Sequence, residues 1–279
     1  MKFKILLFFI FLLPALLHAQ SKDSINVFYK TRGAIMMAVK AKDGIVIVAD
    51  SRLAYRLSDT GQVLAYQDGQ PKIFPLKKFA LAIVGNFTDG NITVKKIISD
   101  FSNSNPAYNT PEECLYRFGL FIKSKYPAYF KILNNNIIIA AGYCPEPTIS
   151  ILIKNVTHTI RNKDWVSNVS AQMDSLHLYT ASKNSTSKRL GDSAEKAMKD
   201  YIKIFHTENE MGGFFSALKI NPDNSYSWQK NDFSENGYLS ECEANHDWFF
   251  DKANIHYIDS RSKKLMNEFD KTIKRKCRY

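Results

Sequence analysis

The sequence predicts an α+β chain in which two β-sheets stack face to face and helices cover their outer faces. Residues 34–41 and 45–49 are near-continuous apolar runs joined by Lys42-Asp43-Gly44, which reads as a hairpin turn. Strands apolar on both faces are buried on both faces. The remaining patterns come in blocks: strands, two helices, strands, a helix, strands, a helix. Stacked sheets with helices outside satisfy that order and bury the first hairpin twice. With no internal repeat and no linker in 279 residues, a single domain with a sizeable core is expected.

The elements follow in chain order. Lys2 and Lys4 precede an apolar run from Ile5 to Leu17 and a small residue at Ala19, the pattern of a cleaved signal peptide over residues 1–19. That run is shorter than the roughly 20 apolar residues a membrane span needs. No later stretch is longer, so a secreted or periplasmic protein without an integral membrane segment is expected. Residues 20–33 form a polar leader. After the hairpin comes a polar insert, "LSDTGQVLAYQDGQP", then Lys72-Ile73-Phe74 and the strand "FALAIVG". Helical spacing covers 88–104 and 111–125, with Thr110 and Pro111 as cap and first position. "NIIIAAGY" and "TISILIK" read as a strand pair, residues 191–205 as a helix, and 214–220 and 225–229 as strands. The tail, 241–279, is basic, but Leu265, Met266 and Phe269 alternate with its charges, so it reads as an amphipathic helix with a solvated face.

The formal net charge of +11 owes much to that tail. Nucleic-acid binding would call for interleaved aromatics or a known module, and neither occurs. Cys114, Cys144, Cys242 and Cys277 lack any paired C-x-x-C, which argues against zinc. In an exported chain they are equally disulfides or buried thiols. Triplets of the form N-x-S/T begin at Asn86, Asn91, Asn155, Asn168 and Asn184, and are glycan sites only in a eukaryotic secretory pathway. No nucleophile elbow, zinc-helix motif or phosphate loop is present. No cofactor or metal is expected.

The hairpin's turn puts residue 34 opposite residue 51, 52 or 53, so Asp50 and the start of the first strand share one end of the sheet. There a charge can be solvated, which mid-strand it cannot. "AVKAKDGIVIVADSR" followed by "KIFPLKKFALAIVGNFTDG" resembles the proteasome β-subunit family of N-terminal-nucleophile (Ntn) hydrolases. "IIIAAGY" and "GGFFSALKI" continue the likeness more weakly. The resemblance implies a four-layer αββα sandwich over residues 34–240, whose nucleophile opens the first strand after self-cleavage of the leader. It also implies a peptide or amide substrate and, by analogy, a homo-oligomer.

In such a site a hydroxyl attacks a carbonyl, an amine takes its proton, and backbone N–H groups hold the oxyanion. The resemblance assigns Asp50 as the aspartate beside the nucleophile, Lys72 as the lysine that tunes it, Arg52 as the structural arginine and Gly85 as the oxyanion glycine. Gly33 stands before the nucleophile position as the family expects. That position, however, falls on Ala34, whose methyl group cannot attack. The later Asp-x-x-Ser-Gly-Gly element falls on Glu208 to Gly213, keeping Gly212 and Gly213 but placing Glu208 and Met211 at the polar positions. The serine of a Gly-Ser-Gly falls near Ser182, without either glycine. A retained scaffold with altered reacting groups predicts a degenerate site left with a binding or structural role. The alternative is an active peptidase or amidase with a nonstandard nucleophile. Thr31 is displaced by about 10 Å along an extended strand. Ser21 lies farther upstream, and Cys114 and Cys144 have no catalytic motif around them.

Overall fold

The computed structural model describes residues 34–56, 60–87, 92–160, 164–169, 184–230 and 255–267. The expected signal peptide and leader, with Gly33, lie outside these residues, as do Ser182, Cys242 and Cys277. Strands β1 (Met36–Ala41) and β2 (Gly44–Asp50) form the expected hairpin, with Met36 opposite Ala49 and Ala41 opposite Gly44. Carried two residues further, that register sets residue 34 against Ser51. The adjoining Ile35 carbonyl accepts the Asp50 N–H at 3.1 Å.

The polar insert is not a plain loop. Leu53–Arg56 (β3) and Val63–Gln67 (β4) pair antiparallel, because Leu53, Tyr55, Leu64 and Ala65 supply an apolar side that is buried. Then come β5 (Ile73–Pro75), β6 (Ala80–Val84) and three helices, α1 (Val94–Asn103), α2 (Pro111–Lys125) and α3 (Pro127–Leu133). Helix α2 has its expected bounds, with Thr110 capping the Glu113 N–H at 3.1 Å. Helix α1 starts later than its periodicity, at the Thr93 cap. Strands β7 (Ile137–Tyr143), β8 (Pro147–Ile153), β9 (Val156–Ile160) and β10 (Trp165–Ser167) precede α4 (Ser187–Ile204), which is capped by Thr186 and so begins a turn before the expected 191. Strands β11 (Phe215–Ile220) and β12 (Tyr226–Lys230) follow. In the tail, residues 260–267 are helical (α5), and Ile255–Tyr257 is a strand, β13.

Among the described residues these strands make sheets ordered β10-β1-β2-β11-β12, β5-β6-β7-β8-β9 and β13-β4-β3. The two five-stranded sheets face each other across Ala34, Met36, Ala38, Ile45, Ile47 and Ala49 on one side and Ala80, Ala82, Val84, Ile139 and Ile151 on the other. The opposite face of the first sheet (Ile35, Met37, Val39, Val46, Val48) packs on Leu190, Ala194, Met198 and Tyr201 of α4. The outer face of the second (Leu81, Ile83, Ile138, Ala140) packs on Ile97, Phe101, Leu115, Phe118 and Ile122 of α1 and α2. Three apolar interiors make four layers, αββα, and each fully buried aliphatic side chain contributes about 1.5–3 kcal/mol.

The two sheets are joined differently at their two ends. At the Gly44 end the turn after β11 docks on β7. There the Asn224 side-chain amide accepts from the Tyr143 N–H at 2.8 Å and donates to the Tyr143 carbonyl at 3.1 Å. Asp43 caps α4 through the Ser187 N–H at 2.6 Å and pairs with Lys219 at 2.9 Å. The Asp50 end carries the charged groups described next.

Candidate functional site

Asp50 closes β2 and is almost wholly buried, so its charge is tolerable only with partners. It has three. Oδ1 accepts from the Ile35 N–H at 3.0 Å and from Lys72 Nζ at 2.7 Å, and Oδ2 accepts from the Gly212 N–H at 2.8 Å. Lys72, just before β5 and fully buried, also donates to the Arg52 carbonyl at 2.5 Å. One carboxylate oxygen thus bridges the lysine to the backbone that follows Ala34. Burial pushes the Asp50 carboxyl up and the Lys72 ammonium down, and in each case the partner's charge opposes the shift. A lysine easier to deprotonate is the right kind of group to accept a proton from an attacking hydroxyl.

The strand end itself is fixed by a residue that the sequence reading passed over. The Asn168 side chain, just past β10, donates to the Ala34 carbonyl at 2.8 Å and accepts from the Met36 N–H at 2.9 Å. It continues the β1–β10 ladder with an amide side chain. Its partners are distant in sequence, so no local pattern announces it; the residue had stood out only as the start of a triplet.

Arg52 occupies the hub between the site and the accessory sheet. Its guanidinium forks onto Asp68 at 2.7 and 2.8 Å, donates to the Glu208 carbonyl, and lies 3.8 Å from the centre of the Tyr66 ring. Its own N–H donates to the Gly212 carbonyl at 3.1 Å. Loop 207–213 is therefore gripped from both sides, and Arg56 adds an ion pair to Glu210. Glu208 enters this site through its backbone alone: the residue is exposed and its carbonyl is the group that meets Arg52. Met211 packs its side chain against the interior between the first sheet and α4. Gly212 and Gly213 both have positive φ, +128° and +71°, and a Cβ on Gly213 would come within 2.5 Å of Asp68 Cγ.

Gly85 follows β6 with φ +120°, and a Cβ there would meet the Asn135 carbonyl at 2.7 Å. Behind it a buried group holds the turn. The Asn136 amide exchanges hydrogen bonds with the Asn86 backbone at 2.9 Å each, and the Tyr129 hydroxyl donates to the Asn86 carbonyl at 2.6 Å.

The structure brings Ala34, Asp50, Lys72, Arg52 and Gly212 into one connected network, with the 34 position filled by a buried methyl group. What the network offers chemically is an acid–base pair beside a strand end and no hydroxyl on residue 34. Cys114 and Cys144 are free thiols; burial pushes the Cys114 thiol up to about 12, which leaves it a poor nucleophile. Among the described residues no cluster of side chains is arranged to hold a metal ion, and no helix is long and apolar enough to cross a membrane.

The family model for proteasome subunits matches residues 30–120. No curated protein matches the chain. The matched segment takes in the hairpin, Asp50, Arg52, Lys72 and Gly85. Over that segment the chain is similar to proteasome subunits, and its mixed helices and antiparallel sheets are consistent with a proteasome-like fold.

Proposed function

We propose that the chain is an exported proteasome-like protein whose peptide or amide hydrolase site is degenerate, leaving a role in binding or structure. The observation that carries this reading is Ala34. It directly precedes Ile35, whose N–H shares an Asp50 oxygen with Lys72, and a methyl group neither attacks a carbonyl nor starts the acyl shift that would free the strand. Loop 207–213 supports it, since Met211 has no polar hydrogen to donate and Glu208 meets the network only through its carbonyl. Export rests on the basic and apolar first residues. Assembly into homo-oligomers is what the family suggests, and a peptide or amide ligand is the class that such a strand end would take.

The test is Ala34→Thr, followed by intact mass over several days. Little or no cleavage after Gly33 is expected. Loss of one positioned polar group typically costs about 10²–10³ in rate, and here more than one is altered. Rapid, complete release of the leader would show that Ala34 was the sole defect and would overturn the part of the reading that rests on loop 207–213.

A second reading, an active amidase with another nucleophile, is favoured by one observation: the buried Asp50–Lys72 pair is intact, with Lys72 also bonded to the Arg52 carbonyl and Asp50 to the Gly212 N–H. Turnover of fluorogenic peptide amides by the unaltered protein, abolished by Lys72→Met in a variant that stays folded, would establish it.

A further inference from the structure

The C-terminal segment reaches the site through a stack of side chains. Strand β13 pairs antiparallel with β4, placing His256 opposite Tyr66, and the two rings are stacked at 4.9 Å and 21°. Strand β4 is the middle strand of its sheet, so His256 approaches Tyr66 from the β13 side and Arg52 from the β3 side, 3.8 Å from the ring centre. Arg52 in turn touches Lys72 through its carbonyl, Gly212 through its N–H, and Asp68 and the Glu208 carbonyl through its guanidinium. Beneath the same hairpin, Met266 and Leu265 of α5 pack with Ile255, Tyr257, Leu53, Tyr55 and Leu64. The apolar side of β3 and β4 is thereby completed by residues about 200 positions away.

We propose that β13 and α5 act as a strap that sets the site, with Tyr66 and His256 as positioning residues for Arg52 and, through it, for loop 207–213 and Lys72. The physical reason is that an arginine held only by hydrogen bonds keeps several rotamers. A ring beneath the guanidinium leaves one plane in which it can fork onto Asp68 and still reach the Glu208 carbonyl. His256 is itself exposed, so its ring is not part of a core; its contact is the Tyr66 face. Release of the strap would free Tyr66, then Arg52, and then the Gly212 N–H that holds Asp50. The proposal rests on reading the Asp50–Lys72 network as the site, and it assigns the control of that site to the chain's own C-terminal segment.

Amide hydrogen exchange on the full chain tests it without requiring any turnover, so its outcome is separate from that of the Ala34→Thr experiment. Three groups of N–H report: Gly212 and Arg52 at the site, Ile258 on the strap (bonded to the Leu64 carbonyl at 3.0 Å), and Tyr143 at the opposite end of the sandwich. In His256→Ala, exchange at Gly212 and Arg52 is expected to rise about tenfold or more while Tyr143 is unchanged. His256→Phe, which keeps a stacking ring, should restore protection, and Tyr66→Leu should reproduce the loss with β13 still paired. Faster exchange at Ile258 with Gly212 unchanged would overturn the proposal, because the strap would then open without the site responding. A uniform rise at all three locations would overturn it equally, since that is the mark of a merely structural contact.

Discussion

The two ends of the sandwich solve one problem, closing two sheets against each other, with opposite chemistry. At the Gly44 end the link is neutral and directional: one Asn224 side chain answers both backbone groups of Tyr143. Its charges, Asp43 and Lys219, are partly solvated. Burial works on Asp43 too, but hydrogen bonds from Lys219 and Ser187 outweigh it and hold the carboxyl below its usual range. At the Asp50 end the link is a wholly buried ion pair that also bonds backbone groups of Ile35, Gly212 and Arg52. A buried ion pair is weak evidence of stability, because desolvation offsets much of the attraction. The neutral end shows that these sheets can be joined without one. The charged end is therefore explained by chemistry at the strand start more readily than by folding.

That contrast is sharpened most by Lys72→Met. The variant leaves Asp50 buried without its cation, and breaking such a pair typically costs about 3–5 kcal/mol. Denaturant unfolding near neutral pH measures it. The pH dependence then has a definite sign. The Asp50 carboxyl, already raised by burial, rises further without Lys72, while the unfolded chain keeps a value of about 3.9. A carboxyl whose folded value lies above its unfolded value loses stability as pH increases between the two. The deficit of the variant should accordingly shrink on acidification toward about pH 4, relative to the unaltered protein. An equal deficit at acid and neutral pH would mean that Asp50 is not the buried charge left behind.

A smaller effect is expected at the loop that closes the charged end. Gly213→Val places a β-branched residue at φ +71° with its Cβ against Asp68, and should cost about 1–3 kcal/mol from backbone strain, with Asp68 displaced from Arg52. Thermal unfolding reads the loss. Gly61→Val is the control, with φ +69° but open space around its Cβ; equal losses in the two variants would remove Asp68 from the account.

The smallest change belongs to the neutral end. Asn224→Ala removes two hydrogen bonds to Tyr143 and should lower stability by about 1–2 kcal/mol, with no pH dependence between pH 5 and 8. A loss as large as that of Lys72→Met would erase the distinction between the ends.

Much of the charged end could be read before any coordinates. The hairpin's two apolar runs set a register that places Asp50 beside the first strand, and a lysine ahead of the next strand is within reach only if the sheets stack. Gly85, Gly212 and Gly213 were legible only through the family resemblance, and in the structure each sits at positive φ, with Gly85 and Gly213 where a Cβ would strike a neighbour. What escaped was everything made by distant pairing. Val63–Gln67 is hidden in the sequence by the polar residues on either side of it, and its Leu64 and Ala65 are buried in one cluster with Met266, against which Leu265 packs. Glu208 was assigned by its side chain and contributes its carbonyl, a distinction that side-chain identity does not encode. The order of the layers was legible; the third sheet was not.

Asn168 has a consequence for cleavage of the chain ahead of the first strand. Its amide takes the Ala34 carbonyl and the Met36 N–H together, so the first strand is moored sideways, by its neighbour, up to the residue where it begins. No part of that mooring uses an atom before Ala34. Scission of the chain at the Gly33–Ala34 bond would leave both hydrogen bonds in place and deliver a new terminal amine one residue from the Ile35 N–H, which is already anchored on Asp50. These two anchors of the first strand survive a cut that removes everything before it.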